Sequence, residues 1–463
     1  MREFELMIDK SLTNGLAPEP MPTNAEFLFQ CLGFRCGKGR LESHITLTNP
    51  LPIGLSLYYN WPFPQMITNE RYNILVVRDS LIQHWDSVYL VSANHSTVTH
   101  IFNIDELTFG VGTMLEIADF GKYIFMTNGV LMLVWNVALG TWTNFTSSLS
   151  IPMMKTVCNL KGQAVGGGVI SAWYDCDETF YVWSNIGSMN FTPDKENESG
   201  YRRCPYGGEV QNVRRLGNAA VGYSSKGITL IQPVPDPATI GFKELSNIGI
   251  INQGAVNGSL TNHLYVGEDY ILRLVTAEGV KELGYQYYIQ QLVGEDIIVS
   301  YDPSKQDFYI GNSIKTFLFS PSGLTEVLQH PSTVWRSNKV SYMLPESVDS
   351  SLPIITTEPF DMGYAGQKTL AVIESDITVT DSPEVGVDYT NNNQVWTTSS
   401  YKPLNSQGVV TAPISGNAFK INLRFAEIYN NTRISYIKVR YKMTDLRGMR
   451  GVYAPPTSLR GQR

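Results

Sequence analysis

Few residues in this sequence could do chemistry, and their spacing withholds most of it. Gly222-Tyr-Ser224-Ser225-Lys-Gly offers serine as a nucleophile but misses the G-x-S-x-G elbow that lifts such a serine off a strand-to-helix turn. It reads as a hairpin turn. Gly166-Gly167-Gly168 could cradle a phosphate only if a helix followed to aim its amides. None is expected there, so a bulge or a crowded strand is the better account. The six histidines, His44, His84, His95, His100, His263 and His330, are scattered, and no H-E-x-x-H pairs two of them on one helix face. Asp175, Asp177 and Glu178, or Glu268 and Asp269, could serve as paired carboxylates for acid–base cleavage of a glycoside. They fall at expected turns, where solvated charge is ordinary. The sequence therefore predicts no catalytic residue, no metal site, no cofactor and no enzyme.

The elements that would position these residues repeat. NHLYVGEDYILRLVTAEGVKEL is followed by DFYIGNSIKTFLFSPSGLTEVL, which places Tyr265 over Tyr309, Gly267 over Gly311 and Gly279 over Gly323. Each pair is 44 residues apart (309 − 265). Within a copy an apolar strand meets a glycine turn, then an alternating strand, then a second glycine turn. Glycine supplies the positive φ of tight turns, and alternation buries one face of each strand. Followed backwards, the inner hairpins end at Trp85, Trp135, Trp183, Ile231, Val275 and Phe319. Antiparallel strands with this period make propeller blades.

The predicted fold is all-β. A six-bladed degenerate β-propeller covers residues 46–345, seven blades or a two-sheet structure being the alternatives. It begins at an outer strand near Leu51–Trp61. An N-terminal arm, 1–45, precedes it. A small β-sandwich domain, 346–445, follows, with runs such as KTLAVIESDIT and ISYIKVRYK. A basic extended tail, 446–463, closes the chain.

The totals agree. At 463 residues there is chain for two or three domains. The N-terminus MREFELMIDKSL lacks the apolar run of a signal peptide, and no stretch has the length of an apolar membrane span. Five cysteines at irregular spacing, Cys31, Cys36, Cys158, Cys176 and Cys204, predict reduced thiols. The formal charge of −7 argues against a surface that grips nucleic acid.

This order resembles the tail nozzle or hub proteins of short-tailed bacteriophages, also called packaged-DNA stabilisation proteins. The residues that carry the likeness are the arm with its Gly-basic turn (Phe34-Arg35-Cys36-Gly37-Lys38-Gly39-Arg40) and the basic end (Val439-Arg-Tyr-Lys442 and Arg447-Gly-Met-Arg450-Gly). The likeness is one of order, length and texture. It implies a hexameric ring in the virion tail, made in the host cytoplasm. That ring would continue the channel below the portal and adaptor, or head–tail connector. It would help retain packaged DNA, guide its ejection, and anchor fibres or spikes. Double-stranded DNA would pass without sequence-specific binding. Six copies at −7 would sum to −42 formal charges, and an acidic lumen would keep phosphates from sticking as DNA slides out.

Candidate assembly contacts are Phe34, Arg35, Lys38 and Arg40 in the arm, and Arg202 and Arg203 in the charged loop Asp194–Cys204. Arg440, Lys442, Arg447, Arg450, Arg460 and Arg463 at the basic end complete them. Two other readings remain at this level. One is a generic propeller scaffold with protein partners. The other is a glycan-binding or glycan-cleaving propeller at a virion tip, with Trp61, Trp173 or Trp396 stacked on sugar.

Overall fold

A computed structural model describes residues 3–19, 26–44, 47–48, 51, 65–68, 73–79, 85–92, 94–105, 114–136, 138–144, 151–170, 173–235, 239–337, 340–344, 349–364, 366–377, 383–392, 394–426 and 432–444. The fold is all-β, built largely from small four-stranded sheets. Among the described residues no helix is long and apolar enough to cross a membrane. The chain forms two compact units. A repeat unit holds residues 47–314 and 330–347, and a terminal unit holds 1–46, 315–329 and 348 onward.

Among the described residues the repeat unit contains five antiparallel sheets, each taking its four strands in chain order. Sheet I is Gln65–Thr68, Asn73–Asp79, Trp85–Val91 and Val98–Asp105. Sheet II is Glu116–Asp119, Tyr123–Thr127, Met132–Asn136 and Thr141–Asn144. Sheet III is Met154–Leu160, Gln163–Val169, Phe180–Trp183 and Gly200–Arg203. Sheet IV is Val210–Leu216, Ala219–Ser224, Gly227–Pro233 and Ile240–Ser246. Sheet V is Val256–Gly258, Asn262–Val266, Leu272–Thr276 and Gly279–Gly284. Two hairpins complete the unit: Ile298–Asp302 with Asp307–Gly311, and Thr333–Ser337 with Val340–Leu344.

Neighbouring sheets pack face to face through the apolar side chains that strand alternation turns inward. Ile74, Val88, Ile124 and Met126 join sheets I and II. Phe125, Met132, Val157 and Val182 join II and III. Tyr181, Trp183, Val213 and Ile231 join III and IV. Leu75 and Val91 of sheet I meet Trp335 and Leu344 of the last hairpin. Full burial of each large apolar side chain stabilises by about 1.5–3 kcal/mol, so these seams hold the sheets in order.

Most of the repeat anchors read from sequence share one structural place. Trp135, Trp183, Ile231 and Val275 lie in the third strands of sheets II to V, opposite Ile124, Val165, Ala220 and His263 of the second strands. Trp85 does not. It opens the third strand of sheet I opposite Asp79, and Leu90, opposite Ile74, holds the matching register. Tryptophan was the more conspicuous letter, but strand pairing selects the leucine.

Gly166 and Gly167 lie in the second strand of sheet III, where no side chain fits. A Cβ on Gly166 would strike the sulfur of Met154, and one on Gly167 would strike Val210 of sheet IV. The glycine run is thus a place of close strand packing, as its sequence context indicated. Gly222–Gly227 forms the expected hairpin, closed by the Ser224 hydroxyl donating to the Gly227 carbonyl at 2.8 Å.

In the terminal unit one sheet runs in the order Glu3–Ile8, Ile437–Met443, Lys368–Ser375 and Val409–Gly416. Another sets Leu28–Leu32 against Ile354–Thr357, then Ala418–Arg424, then Glu384–Thr390. The hairpin Thr316–Ser320 with Gly323–Val327 joins it through a parallel bridge from Glu326 to Leu32.

Two expectations change here. The first 45 residues are no separate arm: Glu3–Ile8 is an edge strand paired along its length with Ile437–Met443, and Leu12, Leu16 and Leu28 are buried in the same unit. The last repeat copy is divided between the units, its hairpin Ile298–Gly311 in one and Thr316–Val327 in the other. The boundaries near 46 and 347 stand close to those predicted, but the membership differs. The predicted strand Leu51–Trp61 beyond Leu51, and the tail 446–463, lie outside the described residues.

Candidate functional site

The first strands of the five sheets and of both hairpins border one cavity of about 620 Å³. Among the described residues seven first strands line it, Thr333–Ser337 being one whose sequence carries no repeat signature. Hydrogen bonds tie neighbouring strands around the cavity. The Thr333 hydroxyl donates to the Met66 carbonyl at 3.1 Å, and Asn159 Nδ2 donates to the Asp119 carbonyl at 2.6 Å. Val213 N donates to Thr156 Oγ1, Val299 N to the Gly254 carbonyl, and the Ser300 hydroxyl to the Ser332 carbonyl. The Gln253 amide reaches the carbonyls of Met114 and Lys155 at 3.5 and 3.4 Å.

The cavity lining includes a small charged group. Glu116 begins the first strand of sheet II, and its Oε1 accepts from Asn212 Nδ2 of sheet IV at 2.9 Å. Arg214, two residues along the same strand as Asn212, places Nη2 3.7 Å from Glu116 Oε1 and Nη1 3.4 Å from Asn257 Oδ1 of sheet V. Burial raises the Glu116 carboxyl above its ordinary range, while Arg214 and Asn212 pull it back. Beside it the Cys158 thiol is pushed up to about 12 by burial and stays protonated. His263 lines the wall, pressed down to about 4 by burial and then by Arg214. These residues can hold a polar or anionic group by charge and hydrogen bonding. Among the described residues no three His, Cys, Asp or Glu side chains gather as a metal site would require.

Sequence reasoning missed this group, because its members lie on three different sheets. One signal was available: VQNVRRL sets arginines inside an otherwise buried first strand.

The residues singled out for assembly lie elsewhere. Phe34 is wholly buried against Phe425, ring centres 5.0 Å apart, so it is spent on its own unit. Arg35 and Arg40 both face Glu42, at 3.9 and 2.9 Å, while Lys38 sits exposed at the tip of that hairpin. Arg202 lies over the Phe242 ring, and Arg203 Nε donates to Thr179 Oγ1. Arg440 pairs with Glu5 and Glu374, and Lys442 with Glu3 at 3.8 Å. These two basic residues are thus matched by acids of adjacent strands. Arg447, Arg450, Arg460 and Arg463 lie outside the described residues, as does Trp61. Trp173 is buried, and Trp396 lies beneath Lys420, whose ammonium is 5.0 Å from its ring.

Several large apolar side chains are exposed. Tyr287, Val293 and Ile314 of the repeat unit are 56%, 61% and 71% exposed. Hydrogen bonds fix the backbone beside them: Asn312 Nδ2 to the Leu292 carbonyl, and the Ser313 hydroxyl to Glu295 at 2.6 Å.

No family model matches this sequence, and no curated protein matches it either. Among solved structures, the chain is similar to PorZ, an essential bacterial surface component of the type-IX secretion system of Porphyromonas gingivalis. The identity is 13% and the TM-score 0.35, over 62% of this chain. The likeness spans 36% of PorZ, about a third of its length, and is too slight to bear on function.

Proposed function

We propose that this protein is a structural component of a virion, a subunit of the tail nozzle or hub ring of a short-tailed phage. In this reading the repeat unit is a propeller with seven radial positions, and the sheets of the terminal unit form a sandwich-like platform. Six copies close a ring that continues the portal–adaptor channel, helps retain DNA, guides its exit and anchors fibres. The observation that carries this is the exposure of the apolar side chains Tyr287, Val293 and Ile314, the last two flanked by hydrogen bonds between 292–295 and 312–313. Such side chains fit a protein–protein contact, and a ring closes when they meet a different face of the next subunit. The pairing of Arg440 and Lys442 with Glu3, Glu5 and Glu374 agrees with a body that does not cling to passing phosphates.

Light scattering and negative-stain imaging of the purified protein test the proposal. Uniform rings are expected, and removal of residues 446–463 should weaken them without unfolding the monomer. A monomer at every concentration, absent from purified particles, would overturn it. One observation favours a glycan-binding reading instead. Tyr174 and Tyr201 are exposed and stacked, ring centres 5.8 Å apart, a surface on which a sugar could lie. Saturable oligosaccharide binding lost in Tyr174→Ala would support that alternative.

A further inference from the structure

We propose that the aromatic cluster beside the outer strands of sheet III docks the tail of a neighbouring copy, through Tyr453-Ala-Pro455-Pro456. The inference rests on the ring reading only in naming that copy as the donor of the tail.

Tyr174 and Tyr201 are 49% and 39% exposed, with ring planes 27° apart. Buried Trp173 meets both edge-on, at 4.7 and 5.7 Å, and Phe180 lies 6.3 Å from Tyr201. The backbone under Tyr174 is strained. Cys176 N donates to the Trp173 carbonyl at 2.9 Å, closing a turn whose central residues, Tyr174 and Asp175, have φ of 47° and 56°. Positive φ at both is the type I′ signature, which glycine, asparagine or aspartate ordinarily fill. A tyrosine is a costly choice there, and strain of this kind gathers where ligands bind.

The polar groups beside the rings are already engaged. Asp177 accepts from the N–H and the hydroxyl of Thr179, and Arg203 Nε donates to that hydroxyl oxygen. Arg202 lies over Phe242. What remains is aromatic surface with two phenol groups, the lining on which polyproline II segments dock. A hydroxyl-rich sugar would want more free polar partners than this.

The chain supplies such a segment. Pro455-Pro456 is its single Pro-Pro pair. Proline fixes φ at about −65° and turns the residue before it away from the helical region, so Ala454-Pro455-Pro456 favours polyproline II. The last described residue before it is Thr444, 11 residues (455 − 444) from Pro455. Extended, that length reaches roughly 36–40 Å, more than the ~30 Å diameter of a small domain. Arg447 and Arg450 precede the prolines, and Arg460 and Arg463 follow them. Their charge is opposite to that of Asp175 and Asp177, both exposed beside the rings.

Anisotropy titration with a fluorescein-labelled peptide of residues 446–463 tests the contact. The protein is the full chain carrying Pro455→Ala and Pro456→Ala, so that its own tail does not compete. Saturable binding is expected, with a dissociation constant between roughly 1 μM and 1 mM. A peptide with the same two alanines keeps every arginine and should bind at least about tenfold more weakly. Tyr174→Ala in the protein should weaken the wild-type peptide by a similar factor, while Tyr174→Phe should not. The comparison of peptides stands even if Tyr174→Ala misfolds. Equal binding of the two peptides would mean that charge alone acts, and would overturn the proposal. So would absence of saturation, indifference to Tyr174→Ala, or binding of maltohexaose at Tyr174 in place of the peptide. Peptide binding by a protein that forms no rings would uphold this contact while the ring reading fails. Rings without peptide binding would do the reverse.

Discussion

The hydroxyl of Tyr223 lies 2.8 Å from Nδ1 of His263, joining the second strands of sheets IV and V. Nε2 of the same ring lies 3.1 Å from the Arg215 carbonyl, which can only accept. Nε2 therefore carries the proton, Nδ1 accepts from tyrosine, and the imidazole is neutral. Both side chains are almost wholly buried, and Tyr223 also meets Tyr265 edge-on at 5.7 Å.

This pair makes the protein acid-sensitive. His263 is held down to about 4, against an ordinary value near 6.5. Between those values the unfolded chain binds a proton that the folded chain refuses, so stability falls as pH falls through that window. The full effect is about 3 kcal/mol. Urea midpoints measured from pH 7.5 to 4.5 should decline, and His263→Gln should flatten the decline. Tyr223→Phe leaves Nδ1 unpaired in the interior and should cost about 1–3 kcal/mol at pH 7.5. An equal acid slope in wild type and His263→Gln would show that other groups set it.

Lys368 gives the same sign at the alkaline end. It is fully buried in the terminal unit, where its ammonium donates to the carbonyls of Tyr364 and Asn417. Burial lowers it to about 8, with Asp361 opposing. From pH 8 to 10.5 the unfolded chain holds the extra proton, so stability should rise with pH by up to about 3 kcal/mol. Lys368→Met should remove that rise. Melting curves between pH 7.5 and 10 would show it, and matching slopes would refute it.

Much of the repeat unit was legible because a blade must obey local rules. Val275 and Ile231 could be located from glycine turns and alternation, which act over a few residues. The error at Trp85 came from weighing residue size above register, and register is a property of the pair Ile74–Leu90 rather than of either strand alone. The N-terminal segment was misread for a related reason. Glu3–Ile8 alternates plainly, but its partner strand lies more than four hundred residues later, and nothing local encodes that pairing. The charged group in the cavity was the least legible, since Glu116, Arg214 and Asn257 meet only when sheets II, IV and V come together.

Gly222 marks a contact that leaves no room for a methyl group. A Cβ there would overlap the hydroxyl and ring of Tyr181, which is itself buried between sheets III and IV. Gly222→Ala should therefore destabilise by about 1–3 kcal/mol through overpacking, seen as a lower melting temperature. Tyr181→Leu should cost stability alone through lost burial, yet absorb most of the alanine's penalty when combined with it. Additive losses in the double-mutant cycle would mean that the two sites do not couple.

The exposed patch yields the prediction on which the assembly reading turns. Val293 and Ile314 are 61% and 71% exposed, so Val293→Asp with Ile314→Asp should change monomer stability by no more than about 0.5 kcal/mol per site. In a ring the same side chains would be covered. Burying each is worth about 1.5–3 kcal/mol, and a buried unpaired carboxylate adds a desolvation cost. A heterologous ring uses the patch once at every junction, so the penalty recurs around the circle and closure should fail cooperatively. Light scattering of the double variant should report monomers under conditions where the wild type forms rings, with the two melting curves alike. Rings of normal size from the variant would place the interface on another face.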